Sequence, residues 1–279
     1  MNRTVMKTCL QHALTLTIAL LLPLSAEAHR SWILPSATVL SGNEPWVTFD
    51  AAVSNDIFHA DHNPLRLDGL KALAPDGTEA TLENLATGKF RTVFDLQLKK
   101  PGTWKVFTAT SGLTARWEEN GQRKSWPPRG TVATQEGFDR DVPKNADKLE
   151  VTWSARRLET FVTAGKPSDT VLRPVNSGLE LVPVTHPNDL FAGETATFRF
   201  LIDGKPAEGV KVEVVSGGRR YRNSEDAIAL VSDRDGAVKI TWPAAGQYWL
   251  EADYEDANAP KPASKRTGRY VASFEVLPQ

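Results

Sequence analysis

His29, His59 and His62 are the residues of this chain whose type and placement suit transition-metal chemistry. His59-Ala60-Asp61-His62 follows Asp56 and precedes Asn63-Pro64, so the pair falls in a loop between two strands. Imidazoles three positions apart converge on one ion if the intervening turn is tight, with Asp56 or Asp61 offering a carboxylate. The competing reading is a hydrogen-bonded turn whose histidines are ordinary polar side chains. His186, in Val184-Thr185-His186-Pro187-Asn188-Asp189, is a fourth candidate near the expected boundary between two domains. Standing before a proline, it is held extended and fits a structural role in the turn as well as it fits a ligand.

His29 differs from the others through what precedes it. Arg3 and Lys7, then a mostly apolar run from Leu14 to Leu24, then Ala26-Glu27-Ala28, match a secretory leader with an A-x-A cleavage site. The run is short for a bilayer span and is broken by Pro23. We therefore expect residues 1–28 to be removed, leaving an exported protein with no membrane span that begins at His29. Its free α-amine and ring Nδ1 would close a chelate on one metal, and a second histidine would complete a three-nitrogen site suited to Cu²⁺ or Ni²⁺. An unperturbed amine titrates near about 7.7 to 8.0, so such binding releases protons and weakens as pH falls. The opposing reading of His29 is an exposed, mobile terminus.

Composition narrows the chemistry further. The single cysteine, Cys9, and both methionines, Met1 and Met6, lie in the leader. The expected product thus has no disulfide, cysteine nucleophile, zinc–thiolate site or methionine-rich copper site. A formal net charge of −1, barely altered by losing Arg3, Lys7 and Glu27, gives no field for nucleic acid. There is no G-x-S-x-G elbow, no H-E-x-x-H and no glycine-rich phosphate loop, and Gly217-Gly218-Arg219-Arg220 reads as a turn between strands. No enzyme activity is expected on these grounds.

The elements that must position the histidines are strands. β-Branched and aromatic residues alternate with polar ones, and turn formers such as Pro75-Asp76-Gly77, Asn120-Gly121 and Asp235-Gly236 punctuate them. Strands are expected at Trp46 to Ala52, Leu65 to Leu73, Thr92 to Leu98, Trp104 to Thr110, Lys148 to Trp153, Glu180 to Val184, Ala196 to Ile202, Lys211 to Val215, Ala237 to Trp242, Tyr248 to Tyr254 and Tyr270 to Val276. Two stretches echo one another. Phe94 to Leu98 runs through Pro101-Gly102 into Trp104 to Phe107, and Val238 to Trp242 runs through Pro243 and Gly246 into Tyr248 to Ala252. The predicted architecture is all-β, two tandem immunoglobulin-like β-sandwich domains spanning 29–172 and 173–279. A protruding loop is expected at about 111–145, where Trp117, Trp126 and Arg129 either form a partner-binding surface or pack back onto the first sandwich.

Several stretches together resemble the DUF4198 family of exported proteins. They are His29-Arg30-Ser31-Trp32-Ile33-Leu34-Pro35, Asp61-His62 leading to Pro64-Leu65-Arg66-Leu67-Asp68, Ala74-Pro75-Asp76-Gly77, Leu158 to Thr163, Leu179 to Pro183, and Gly193-Glu194 with Asp203-Gly204-Lys205-Pro206. The resemblance implies exported β-sandwich domains and a part in transition-metal uptake, since relatives are described as periplasmic components of nickel or cobalt transport. It places His29 and His62 where the family pattern shows histidine. His59 and His186 rest on the residue-level argument alone.

The expected function is a periplasmic accessory protein that binds nickel, cobalt or copper through His29, His59 and His62 and serves a membrane transporter or outer-membrane receptor. Two other readings stand beside it. One is a non-catalytic adaptor using the 111–145 loop on a receptor or envelope polymer. The other is a copper enzyme in which His29 forms a histidine brace.

Overall fold

The computed structural model describes residues 29–128 and 130–279. The expected leader and Arg129 lie outside the described residues. In chain order the main strands are β1 (Arg30–Pro35), β2 (Trp46–Ser54), β3 (Glu83–Thr87), β4 (Thr92–Gln97), β5 (Gly102–Glu119), β6 (Gln122–Trp126), β7 (Asp147–Ala164), β8 (Leu179–Pro183), β9 (Thr195–Ile202), β10 (Lys211–Ser216), β11 (Ile228–Val231), β12 (Ala237–Thr241), β13 (Gly246–Asp256) and β14 (Lys265–Val276). A short helix, α1 (Gln135–Asp141), lies between β6 and β7. The architecture is all-β, as the sequence pattern predicts.

Among the described residues the strands form three sheets. The first runs β1-β2-β4-β3. The second runs β11-β10-β13-β14-β7-β5 and continues through the short pieces Lys71–Leu73 and Glu79–Ala80. In the third, β9 lies between β8 and β12. The middle sheet is shared by both halves because β7 and β14 pair in parallel, from Thr152 with Lys265 to Thr160 with Ser273.

Period-two alternation explains how one sheet serves two cores. On β13, Tyr248, Leu250 and Ala252 face a core with Phe198, Phe200 and Ile240 of the third sheet, while Trp249 faces the opposite core with Phe49, Phe94 and Leu96 of the first. On β14 the same split separates Tyr270, Ala272 and Phe274 from Val271. Sheets covered on both faces read as nearly continuous apolar runs, and Tyr270-Val271-Ala272-Ser273-Phe274 has that character.

Strands β5 and β7 have 18 residues each and pair along most of their length. At about 3.3 Å per residue they outrun the sandwich. Beyond it they carry β6, α1 and a small core of their own, in which Leu113, Trp126, Phe138 and Val151 meet. Thr134 caps α1 by accepting from the Gly137 N–H at 3.0 Å. The stretch expected as a strand from Leu65 to Leu73 is extended only at Lys71–Leu73. Ahead of it Leu65 is anchored in the core and Gly69, at φ 76°, bends the chain. No helix among the described residues is long and apolar enough to cross a membrane.

Candidate metal centre

The register of the first sheet brings His29 and His62 together. Strand β1 lies against one edge of β2, with Arg30 opposite Ser54. Asn63–Pro64 lies against the other edge, with Asn63 opposite Val53. His29 and His62 each stand one residue beyond these pairs, so they flank the same end of β2. Their rings stack at 3.7 Å between centroids and 7° between planes.

That pose is a meeting of donors rather than a completed site. An imidazole lone pair lies in its ring plane, and a metal sits about 2.0 to 2.1 Å from the nitrogen. Two parallel rings 3.7 Å apart cannot both aim at one ion, so one must turn about its side-chain bonds. His29 is exposed and His62 half-buried, and exposed side chains change rotamer within picoseconds to nanoseconds. Among the described residues no group of three or more His, Asp or Glu is already gathered for a metal ion.

His59 is engaged elsewhere. Its Nε2 lies 2.9 Å from Arg220 Nη1, on the loop after β10. A guanidinium only donates, so His59 Nε2 is the acceptor and its proton sits on Nδ1. Asp61 is also committed. Its carboxylate accepts from the Asn55 N–H at 2.9 Å and from Asn55 Nδ2 at 3.3 Å, closing the loop. Ser54 Oγ accepts from Trp32 Nε1 at 2.7 Å and donates to the Asp56 carbonyl at 2.5 Å. The loop is thereby pinned over Trp32, with Phe58 edge-on to that indole at 5.8 Å.

Strand β1, which His29 immediately precedes, is fastened to the second half of the chain. Trp249 Nε1 donates to the Ser31 carbonyl at 3.0 Å. The Arg30 guanidinium lies 4.9 Å above the Trp249 ring and pairs with Glu213 at 2.9 Å and with Glu225. Burial works against the charge of Arg30, but the bond to Glu225 and the surrounding carboxylates outweigh it and raise its pKa. The Arg30 bond in turn holds Glu225 below the ordinary carboxylate value. Burial pushes Glu251 the other way, upward. Further along, the Thr38 N–H and hydroxyl both donate to Glu275, at 2.8 and 2.7 Å. His29 therefore starts from a fixed strand.

His186 stands apart from the other histidines. It lies beside Thr103 and Thr163, near Val39 in the segment that follows β1. Its Nδ1 accepts from the Asn188 N–H at 3.1 Å, which leaves Nε2–H to donate to Thr103 Oγ1 at 2.9 Å. Both ring nitrogens are occupied. Burial lowers its pKa, so the neutral form is favoured.

Arg30, Trp249, Glu213, Glu225 and Arg220 were not singled out as site residues by the sequence. Arg220 was visible only as part of a turn. Trp126 is 5 % exposed in the small core beneath α1, and Trp117 packs against that core, so the first of these tryptophans offers no surface to a partner.

Fold and site together define an all-β, immunoglobulin-like double sandwich with a histidine pair at the head of its N-terminal strand. The chain belongs to the DUF4198 family, a domain of unknown function whose model matches residues 26–256 and so takes in all four of these histidines. No curated protein matches it. Similar solved structures include a domain fragment of intimin, 12% identical, covering 87% of this chain and 96% of that chain with a TM-score of 0.21. The human OSCAR ligand-binding domain is 11% identical over 87% of this chain and 97% of its own, with a TM-score of 0.20. A DUF3823 family protein from Bacteroides uniformis is 11% identical over 90% and 100%, with a TM-score of 0.24.

Proposed function

We propose that this is an exported periplasmic accessory protein that binds a divalent transition metal, nickel, cobalt or copper, for uptake or handling, without making or breaking bonds. The observation that carries this reading is the contact between His29 and His62 at the end of a strand tied to both halves of the molecule. A terminus of no consequence needs no such ties. Imidazole nitrogen suits these three metals, and the chain after residue 28 offers no thiolate or thioether to select others. Cleavage after Ala28 adds the α-amine of His29 to its ring and to His62, and His59 joins when Arg220 releases it.

The test is a titration of Ni²⁺, Co²⁺ and Cu²⁺ into protein beginning at His29 and into a version with one extra residue before it. Micromolar or tighter binding that is lost on extension supports the reading. No binding by either protein defeats it. The same three nitrogens are those of a copper histidine brace, so copper-dependent consumption of peroxide would favour an enzyme over a carrier.

A further inference from the structure

We propose that the metal is taken as a complex with a small anionic organic chelator whose body lies in the groove beside His59. This rests on the metal reading above and names the form in which the metal arrives. With His59 held by Arg220, two imidazoles and one amine supply three donors, which leaves open positions on a transition metal that takes about four to six, and among the described residues no third His, Asp or Glu is gathered beside the pair. The remaining donors must come from outside the chain.

The loop that carries His59 and His62 also forms one wall of an open groove of about 510 Å³. That volume is in the range of small-molecule sites. Its lining pairs aromatic faces, Phe58 and Phe90, with Lys89, Arg91, Asp50 and His59. Arg91 and Asp50 neutralise one another at 3.2 Å. Lys89 lies 5.1 Å over the Phe90 ring, and with Arg91 set against Asp50 the charged lining keeps one cation in excess. Flat apolar walls with an unmatched cation fit a planar body bearing carboxylates, whose inner atoms ligate the metal while an outer oxygen meets Lys89.

The groove is held in shape. The Gly88 N–H donates to the Arg91 carbonyl at 2.8 Å, closing the turn that bears Lys89 and Phe90. Phe58 stands at φ 57°, a left-handed conformation that bulky residues seldom take, and strain of this kind gathers at binding sites.

Pyridine-2,6-dicarboxylate serves as the probe, because it is planar, carries two carboxylates and leaves coordination positions free on Ni²⁺. The full chain beginning at His29 and its K89A/F90A double variant are titrated calorimetrically with Ni²⁺ alone and with the one-to-one nickel complex. Both substitutions lie on an exposed turn, and unchanged binding of Ni²⁺ alone confirms that the variant is folded. The wild type is expected to bind the complex roughly tenfold more tightly than the variant, with nickel and chelator both retained in native mass spectra. Equal affinity for the complex, or capture of nickel with loss of the chelator, overturns the inference and leaves the metal reading intact. Failure to bind nickel in either form overturns both.

Discussion

On the proposed metal reading, Arg220 would set how much of the histidine cluster an ion could use. Its guanidinium occupies the accepting nitrogen of His59, and a metal at that atom must displace it. Arg220→Ala is expected to tighten Ni²⁺ binding about three- to tenfold in a competition titration; an unchanged affinity would mean that His59 stays outside the site. His29 and His62 were legible as candidates because their types and settings are local, whereas their contact comes from the fold. Arg220 was illegible as a partner because it lies 161 positions from His59, and only the fold brings them together. His186 carries a separate prediction. Burial lowers its pKa in the folded protein, so as pH falls below its ordinary value of 6.5 the unfolded chain gains the proton first. Stability should therefore drop on acidification from that side chain, by at most about 1.4 kcal/mol per pH unit. Urea unfolding of wild type and His186→Gln across about pH 7.5 to 5 tests this; equal pH slopes would contradict it.

Strand β1 is the element on which the site depends, and Trp249 is its main clasp. Trp249→Phe keeps an aromatic in the core but removes the donor to the Ser31 carbonyl and weakens the seat of Arg30. A loss of about 1 to 3 kcal/mol is expected, together with faster amide exchange along β1. Unaltered exchange there would show that the clasp does not position His29. The strand escaped the alternation rule because Trp32, Ile33 and Leu34 are apolar in succession. Ile33 is wholly buried, while Trp32 is roofed by the Ser54 to His62 loop, so both faces are covered. Strands β2, β4, β9 and β12 have one wet face and were legible where they stand. The 111–145 segment gave a turn at Asn120-Gly121 but not its own small core, which depends on Val151 of β7 and on Ala263 of the turn before β14.

At the scale of the whole molecule, the shared middle sheet couples the two sandwiches. The repeated strand–turn–strand pattern revealed two sandwiches, but the parallel pairing of β7 with β14 leaves no local trace. Arg157, Glu159 and Glu180 are buried at this junction, with the Tyr270 hydroxyl donating to Glu159 at 2.8 Å and Arg157 3.3 Å from Glu180. Burial and then the charge of Glu159 push the Tyr270 pKa well up, keeping it a donor. Arg157→Met strands two carboxylates without their cation and should cost about 3 to 5 kcal/mol. Calorimetry should show one unfolding transition for wild type, with calorimetric and van't Hoff enthalpies in agreement. Two resolved transitions would mean that the halves unfold independently despite their common sheet.

The convergence of His29 and His62 on one ion is tested most directly by X-ray absorption of the nickel-loaded protein beginning at His29, beside its His62→Ala variant. Imidazole scattering from at least two rings in the wild type, reduced by one in the variant, is the predicted result. An identical imidazole count in the two proteins, or a shell of oxygen alone, would contradict it.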